Sequence, residues 1–450
     1  MKKILFSLFS LLSTSLYATQ TFGGYIHYTN LTNNTYEIAV HLFQDLNSPA
    51  SQREEIEINY GDNSSVDTIL KITERRLNNS PFNIVESIYI TRHTYNASGI
   101  FTITVEEQNR PANIINLPSS LTAPIFLKTS LEVSPNPTFV NNSISINANA
   151  IVYSQANKIF KFNLSAFDED CDFLTYRLVK PRGANGLEIS NYNFPMGSSI
   201  DLINGEFIWD NTSAELGFHQ FSIEITECRE DEFIATTTVD FMIYNLSSND
   251  TASFINTQNL NRDESGKISY IISPGDSLEL QINYQSTDNY SIRLIDGTDR
   301  ASYDQNGNFK FVSKSEDNRC APYLFIFEAD TRGVVEHETV MIRVIDTNLI
   351  NCDTLCGFNV LSIENQDKNK AQGLNIYPNP FTNQTTIELP INFRTVDFSL
   401  LNNLGQIVQA EISVTDNQIK IYRSSLPEGI YFIRIAGDDK QVYPGKIVAQ

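Results

Sequence analysis

Short runs of β-branched and aromatic residues recur along the chain, separated by Asn, Asp, Ser and Gly, and they predict β-strands. Residues 36–42 and 99–105 are two such runs. One stretch, residues 69–73, fits a helix and a strand equally well. Several strands at intervals of about 8–12 residues are typical of β-sandwiches. We therefore predict an all-β chain of tandem immunoglobulin-like β-sandwiches in an elongated, multi-domain arrangement.

The spacing of these runs divides the 450 residues into modules. Domains typically have about 150 residues, so a chain of this length is expected to contain about three. Residues 306–311 match residues 204–209, 102 positions earlier, and residues 323–327 match residues 221–225 at the same offset. Two of the modules therefore repeat one pattern. The predicted boundaries are a signal peptide at 1–18, β-sandwiches at 19–130, 134–246 and 251–347, a linker at 348–371, and a C-terminal domain at 372–450.

The first 18 residues have the pattern of a secretory signal peptide. Lys2 and Lys3 precede an apolar run at residues 4–12, and the small Ala18 ends the stretch. A run of about nine residues is too short to span a bilayer as a helix. We therefore predict export without a transmembrane span, into a compartment that permits disulfides.

The charge of the chain argues against two kinds of partner. There are 53 acidic and 32 basic residues, for a net charge of −21. Nucleic-acid binding needs a basic surface that displaces counterions, and docking on anionic lipid also needs a positively charged surface. We expect no nucleic-acid partner.

Five cysteines are an odd number, so one thiol is left without an intrachain partner. Cys171 precedes a predicted strand and Cys228 follows another. If these strands are antiparallel neighbours, the two cysteines come close enough for a disulfide. Cys352 and Cys356 are the second predicted pair, which leaves Cys320 as the odd cysteine. No pair of cysteines or histidines has the spacing of a zinc site.

A dense acidic loop comes just before the strand at residues 174–178. Ca²⁺ binds six to eight oxygen atoms, and carboxylates supply them in proteins. The alternative is a solvated acidic loop, which is common in a chain with this net charge. The residues predicted as calcium ligands are Asp168, Glu169, Asp170, Asp172 and Glu227.

No motif for catalysis is present in the sequence. There is no Gly-x-Ser-x-Gly, no His-Glu-x-x-His and no Gly-rich phosphate loop. His337-Glu338 lacks a second histidine four residues on, and His93 fits a strand or turn better than a general base. We predict a protein that is not an enzyme.

The C-terminal 79 residues carry motifs in a specific order. Together they resemble the C-terminal sorting domain of proteins exported by the bacterial type IX secretion system. The resemblance implies a small β-sandwich that the outer-membrane translocon and its sorting machinery recognise, followed by removal and by surface attachment or release. A structural β-domain with no sorting role is the alternative. The residues that carry the motif are Tyr377, Pro378, Asn379, Pro380, Gly405, Gly429, Tyr431 and Lys446.

The modules between the two ends also resemble known surface domains. Residues 60–63 and 93–105 resemble the PKD domain, in which a strand ends in aromatic-Gly-Asp. Residues 167–178 and 204–225 resemble cadherin-like bacterial repeats. These resemblances imply a secreted or cell-surface protein with an adhesive or structural role and an unknown surface, glycan or protein ligand. The alternative is an extracellular polymer-binding protein or an accessory module of a secreted hydrolase.

Overall fold

The computed structural model of the chain is built from β-strands and short turns. Among the residues it describes, no helix is long and apolar enough to cross a membrane. The predicted signal peptide, most of the predicted linker and Cys320 lie outside the described residues. The described residues are 20–32, 34–77, 82–108, 110–136, 138–229, 232–247, 254–263, 265–285, 291–295, 298, 300–319, 321–331, 334–346, 354–355, 358–359, 375–388, 397–402, 408–415, 418–436 and 442–449.

The first module is a sandwich of seven strands. Strands 1, 2, 5, 4 and 3 follow one another in that order by antiparallel pairing, and strand 6 pairs with strand 7. The stretch at residues 69–73 is part of a strand, and Ile69 is buried there. The strands are β1 (Thr21–Thr32), β2 (Thr35–Asp45), β3 (Glu55–Ile58), β4 (Asp67–Arg76), β5 (Ile84–Thr94), β6 (Gly99–Glu107) and β7 (Ile125–Val133).

The second module packs its aromatic side chains between two groups of strands. Trp209, Phe207 and Phe221 are fully buried in this core, because alternate residues of a strand face the same side. The strands are β8 (Ser145–Ile146), β9 (Ile151–Gln155), β10 (Ile159–Phe162), β11 (Ala166–Phe167), β12 (Phe173–Val179), β13 (Ser198–Ile200), β14 (Phe207–Asp210), β15 (Gly217–Arg229) and β16 (Glu232–Leu246).

The third module has a core of its own. Its strands are β17 (Phe254–Asn256), β18 (Ile268–Ile272), β19 (Ser277–Gln281), β20 (Asn283–Gln285), β21 (Ser291–Ile295), β22 (Ala301–Tyr303), β23 (Asn308–Val312), β24 (Tyr323–Thr331) and β25 (Val334–Val344).

The repeat that the sequence predicts is present in the structure. In the second module β14 lies between β10 and β13, and in the third β23 lies between β19 and β22. Likewise β15 pairs with β12 and β16, and β24 pairs with β21 and β25. Phe309 and Phe311 are buried at the positions that Phe207 and Trp209 hold in the second module.

The C-terminal domain follows a hairpin of two short strands and consists of two small sheets. Strands 28, 29, 32 and 31 form one sheet, and strands 30, 33 and 34 form the other. The strands from the hairpin onward are β26 (Thr354–Leu355), β27 (Phe358–Asn359), β28 (Asn375–Tyr377), β29 (Gln384–Glu388), β30 (Asp397–Asn402), β31 (Ile412–Thr415), β32 (Gln418–Tyr422), β33 (Gly429–Ala436) and β34 (Val442–Ala449). Short 3-10 turns lie at Ser120–Thr122, Ala184–Gly186 and Arg423–Ser425.

The first and second modules are joined by direct contacts. Strand β16 pairs with β1 at Gly24 and Asp240. A Cβ atom on the neighbouring Gly23 would lie 2.2 Å from the Asp240 carbonyl oxygen, so only glycine permits this approach. Beside it, Arg110 Nη2 donates to Asp240 Oδ2 at 2.8 Å, and both side chains are buried.

The second and third modules meet between β10 and β25. Lys161 Nζ forms an ion pair with Glu338, and the buried His337 Nδ1 accepts a hydrogen bond from the Asn163 backbone N–H at 3.0 Å. Strand β25 also forms a parallel pair with β9 at Val334 and Tyr153. The modules therefore contact one another through backbone pairs as well as side chains.

This second junction should lose stability as the pH rises. Burial, together with repulsion from the nearby Glu338, raises the pKa of Glu206 and of Glu336 to about 7. Each carboxyl binds its proton in the folded state at a pH where the unfolded chain has released it. The contribution of these two carboxyls to the free energy of unfolding therefore falls between about pH 4.5 and pH 7, and it levels off above that window.

Urea unfolding of the whole protein from pH 4.5 to pH 8 measures this loss. Glu206→Gln should flatten the pH dependence, whereas Glu55→Gln on the surface of the first module should leave it unchanged. Equal slopes for Glu206→Gln and the unchanged protein would reject the assignment.

Candidate metal centre

Three acidic side chains of the second module converge at one end of its sheet. The loop between β11 and β12 carries Asp168 and Asp172, and β15 carries Glu227. Strand β12 pairs with β15 so that Leu174 lies opposite Glu227, which brings the strand end next to the loop. Carboxylate oxygens of the three residues lie within 4.8 Å of one another, and all three side chains are buried.

Asp168 lies buried in a short turn. Its Oδ1 accepts a hydrogen bond from the Asp172 backbone N–H at 2.9 Å. Its Oδ2 is buried and has no hydrogen-bond partner among the described residues, and neither has the hydroxyl of the buried Tyr176. Both side chains line a small open cleft of about 50 Å³ between the second and third modules. A buried polar atom without a partner costs about 1–3 kcal/mol.

Glu227 is held by the segment that leads into the second module. Asn141 Nδ2 donates to Glu227 Oε2 at 2.9 Å, and the Ile144 backbone N–H donates to Oε1 at 3.3 Å. The same Asn141 nitrogen donates to the Tyr28 hydroxyl at 3.0 Å. Since Tyr28 belongs to β1, the acidic cluster is connected to the first module.

One cation balances part of this charge. Arg229 donates from Nε and Nη2 to the two carboxylate oxygens of Asp172, at 2.6 and 2.8 Å. Such a two-point ion pair is strong and directional. Three ionised carboxylates and one guanidinium leave two negative charges without compensation in a buried place.

The electrostatics of the cluster disfavour ionised carboxylates. Burial, together with repulsion from Asp172 and Asp170, raises the pKa of Asp168 to about 7. Burial, together with repulsion from Asp168, also raises the pKa of Glu227 to about 8. The cluster therefore holds protons near neutral pH, or it holds a cation that takes their place.

The structure brings together three of the five predicted ligands and separates the other two. Asp170 accepts hydrogen bonds from the Asn142 backbone N–H at 2.6 Å and from its amide at 3.1 and 3.2 Å, and Glu169 is exposed. Sequence reasoning missed Arg229 and Asn141. Arg229 stands two positions after Glu227 and could have been considered, whereas Asn141 is 86 residues away from Glu227 and carries no local signal.

The predicted disulfide between Cys171 and Cys228 is wrong. Cys171 is an exposed free thiol, and Cys228 is disulfide-bonded to a partner outside the described residues. The strand register explains the error, because Phe173 and not Cys171 lies opposite Cys228. Cys171 sits two residues earlier, in a turn where its φ is +66°. The predicted pair of Cys352 and Cys356 lies outside the described residues.

All five histidines in the sequence have hydrogen-bond partners within the protein. His93 Nε2 lies 2.8 Å from Asp62 Oδ2 and its ring stacks on Tyr60 at 3.8 Å. His337 contacts Asn163 and Glu328. The remaining three contact Ile144, Glu86 and Gly217, namely His27, His41 and His219.

The sorting-motif residues lie against the last strand of the C-terminal domain. Asn379 Nδ2 donates to the Lys446 carbonyl at 2.7 Å, and Asn379 Oδ1 accepts from the Val448 backbone N–H at 2.8 Å. The Tyr431 hydroxyl donates to the Pro427 carbonyl at 2.8 Å. One side chain of the motif thus ties its segment to β34. Gly405 lies outside the described residues. Tyr377 ends β28, Gly429 begins β33, and Pro378 and Pro380 lie in the bend that follows β28.

Comparison with known proteins identifies the C-terminal domain. Residues 375–450 match the family described as the secretion system C-terminal sorting domain. This confirms the prediction from the sequence motifs. The protein is exported by type IX secretion to the cell surface or the extracellular space, and its C-terminal domain is the part that the secretion machinery recognises.

Solved structures similar to the chain consist of immunoglobulin domains. The N-terminal four Ig domains of Dscam1 isoform 6.44 have a TM-score of 0.21 and 11% identity, covering 96% of this chain and 100% of theirs. The I67–I69 I-band fragment of titin has a TM-score of 0.17 and 8% identity, covering 70% and 99%. The insect immune protein hemolin has a TM-score of 0.19 and 9% identity, covering 88% and 100%. No curated protein matches the chain.

Proposed function

We propose that the protein is a non-enzymatic adhesive or structural protein of the cell surface, in which three β-sandwiches present their faces and loops to extracellular partners. The observation that carries the proposal is the direct packing between successive modules. The first two share a backbone pair at Gly24 and Asp240 and the buried ion pair of Arg110. Such contacts favour a stiff array, since flexible linkers would let each module move separately.

The histidine contacts support the non-enzymatic part of the proposal. A general base needs an imidazole that can reach a substrate. His337 and His219 are buried, and His93 is stacked on Tyr60 and bonded to Asp62. The described residues that line the cleft beside Asp168 include carboxylates, Arg319 and the Cys171 thiol, and none of them is a histidine.

A binding array tests the adhesive role. The secreted protein, collected from the cell surface or the medium, is applied to immobilised glycans and matrix proteins, and the same preparation is assayed for hydrolysis of each ligand that it binds. We expect saturable binding without turnover. Binding to insoluble polysaccharide alone would favour the polymer-binding alternative, and detectable turnover would overturn the non-enzymatic proposal.

A further inference from the structure

We propose that Asp168, Asp172 and Glu227 bind one calcium ion at the edge of the cleft between the second and third modules. The site goes beyond the adhesive role and does not depend on it. It uses carboxylates from a loop and from a strand that are far apart in the sequence and adjacent in the fold.

The charge of the cluster calls for a divalent cation. Arg229 binds both carboxylate oxygens of Asp172 and leaves Asp168 and Glu227 without a basic partner among the described residues. Like charges at this separation repel strongly where water is excluded. A doubly charged cation compensates for the two remaining negative charges.

Two buried oxygen atoms without hydrogen-bond partners also indicate a ligand at this cluster. Asp168 is 4% exposed and Tyr176 is 2% exposed. The Oδ2 atom of Asp168 and the hydroxyl of Tyr176 have no hydrogen-bond partner in the described part of the chain. Both residues line the cleft. The Tyr176 hydroxyl does not belong to the acidic group, so it is a separate indication that a ligand or ordered solvent fills this space.

The donor set favours calcium over other common cations. The converging atoms are carboxylate oxygens, which hard cations prefer, whereas zinc and copper are held by histidine and cysteine. Calcium accepts irregular arrangements of six to eight oxygens, and water entering through the open cleft can complete the set. Magnesium demands a near-ideal octahedron at shorter distances.

The site also has a route to the first module. Asn141 bridges Glu227 and the Tyr28 hydroxyl of β1. Its neighbour Asn142 bonds both Asp170 and the Asn30 backbone N–H, the latter at 2.8 Å. A cation that fixes Glu227 therefore holds residues 141–144 against β1. We expect calcium to protect this segment from proteolysis.

Calorimetry on the full chain tests the site. The secreted protein is dialysed against EGTA and then titrated with CaCl₂, and its melting temperature is recorded with and without 10 mM calcium. Extracellular calcium modules bind with Kd of about 10⁻⁴–10⁻³ M. We expect one binding site and a rise in Tm of roughly 5–10 °C at the tight end of that range.

Variants distinguish this site from other acidic groups. Asp168→Asn should abolish the calcium-dependent rise in Tm, and the exposed Glu169→Gln, one residue away, should preserve it. Terbium luminescence sensitised by Tyr176 is a second measurement, and it should disappear in Asp168→Asn and on adding excess calcium. An unchanged Tm in 10 mM calcium, an equal response of Asp168→Asn, or equal competition by magnesium would each overturn the proposal.

Discussion

Deletion of residues 372–450 should stop export and leave the truncated protein in the periplasm. The reason is that residues 375–450 match the sorting domain that directs secretion, and this domain has its own core and its own two sheets. None of the described residues of the three sandwich modules belongs to that core, so the modules should remain folded without it. Fractionation followed by immunoblotting measures the outcome.

Point variants give the deletion a matched control. Asn379→Ala removes the two hydrogen bonds that tie the sorting-motif segment to β34 and should reduce export. Ser424→Ala removes only an exposed hydroxyl outside the motif, which donates to Glu411 Oε2 at 2.8 Å, and should have little effect. Normal export of the deleted protein would contradict the sorting assignment.

Arg110→Ala should be the most destabilising single substitution between the first two modules. The guanidinium is completely buried, and besides Asp240 it bonds the Arg182 carbonyl at 3.0 Å. Removing it leaves the Asp240 carboxylate buried and unpaired. Loss of one partner of a buried ion pair costs about 3–5 kcal/mol. Urea unfolding of the secreted protein measures the loss.

The exposed ion pair of Arg92 and Glu37 is the control. Arg92 Nη2 lies 2.9 Å from Glu37 Oε2, with 69% of the arginine side chain exposed. Exposed ion pairs contribute about 0–1 kcal/mol. Arg92→Ala should therefore change stability by less than about 1 kcal/mol. Equal losses for the two variants would show that the buried pair does not hold the junction together.

The strands were predictable because their signal is local. The alternation of Phe207 and Trp209, repeated by Phe309 and Phe311, predicts strands that bury one face, and all four residues are buried. The Asn-Gly turns before these pairs also follow from local chemistry, since Gly205 and Gly307 both have positive φ. The sorting motifs were likewise readable as short sequences at a set spacing.

Contacts between distant residues could not be predicted in this way. Arg110 and Asp240 are 130 residues apart, and nothing in the sequence around either one indicates the other. The disulfide prediction failed for a related reason. Placing Cys171 near Cys228 requires the strand register to within one residue, and the actual register puts Phe173 opposite Cys228.

The acidic cluster could be predicted in part. The density of carboxylates in the loop indicated the place, and the antiparallel pairing of β12 and β15 was enough to include Glu227. The local turn then decides which loop carboxylates point inward. Asp168 and Asp172 point into the cluster, whereas Asp170 is hydrogen-bonded to Asn142. The conformation of such a turn cannot be predicted from the types of its residues.

Protease accessibility on intact cells tests directly whether the sandwich modules are exported to the cell surface or the medium. Intact cells producing the full-length protein are treated with an added protease, and the medium and the cells are probed with an antibody against residues 19–347. We expect these modules to be found in the medium or to be digested from intact cells. Modules that stay protected until the outer membrane is permeabilised would contradict it.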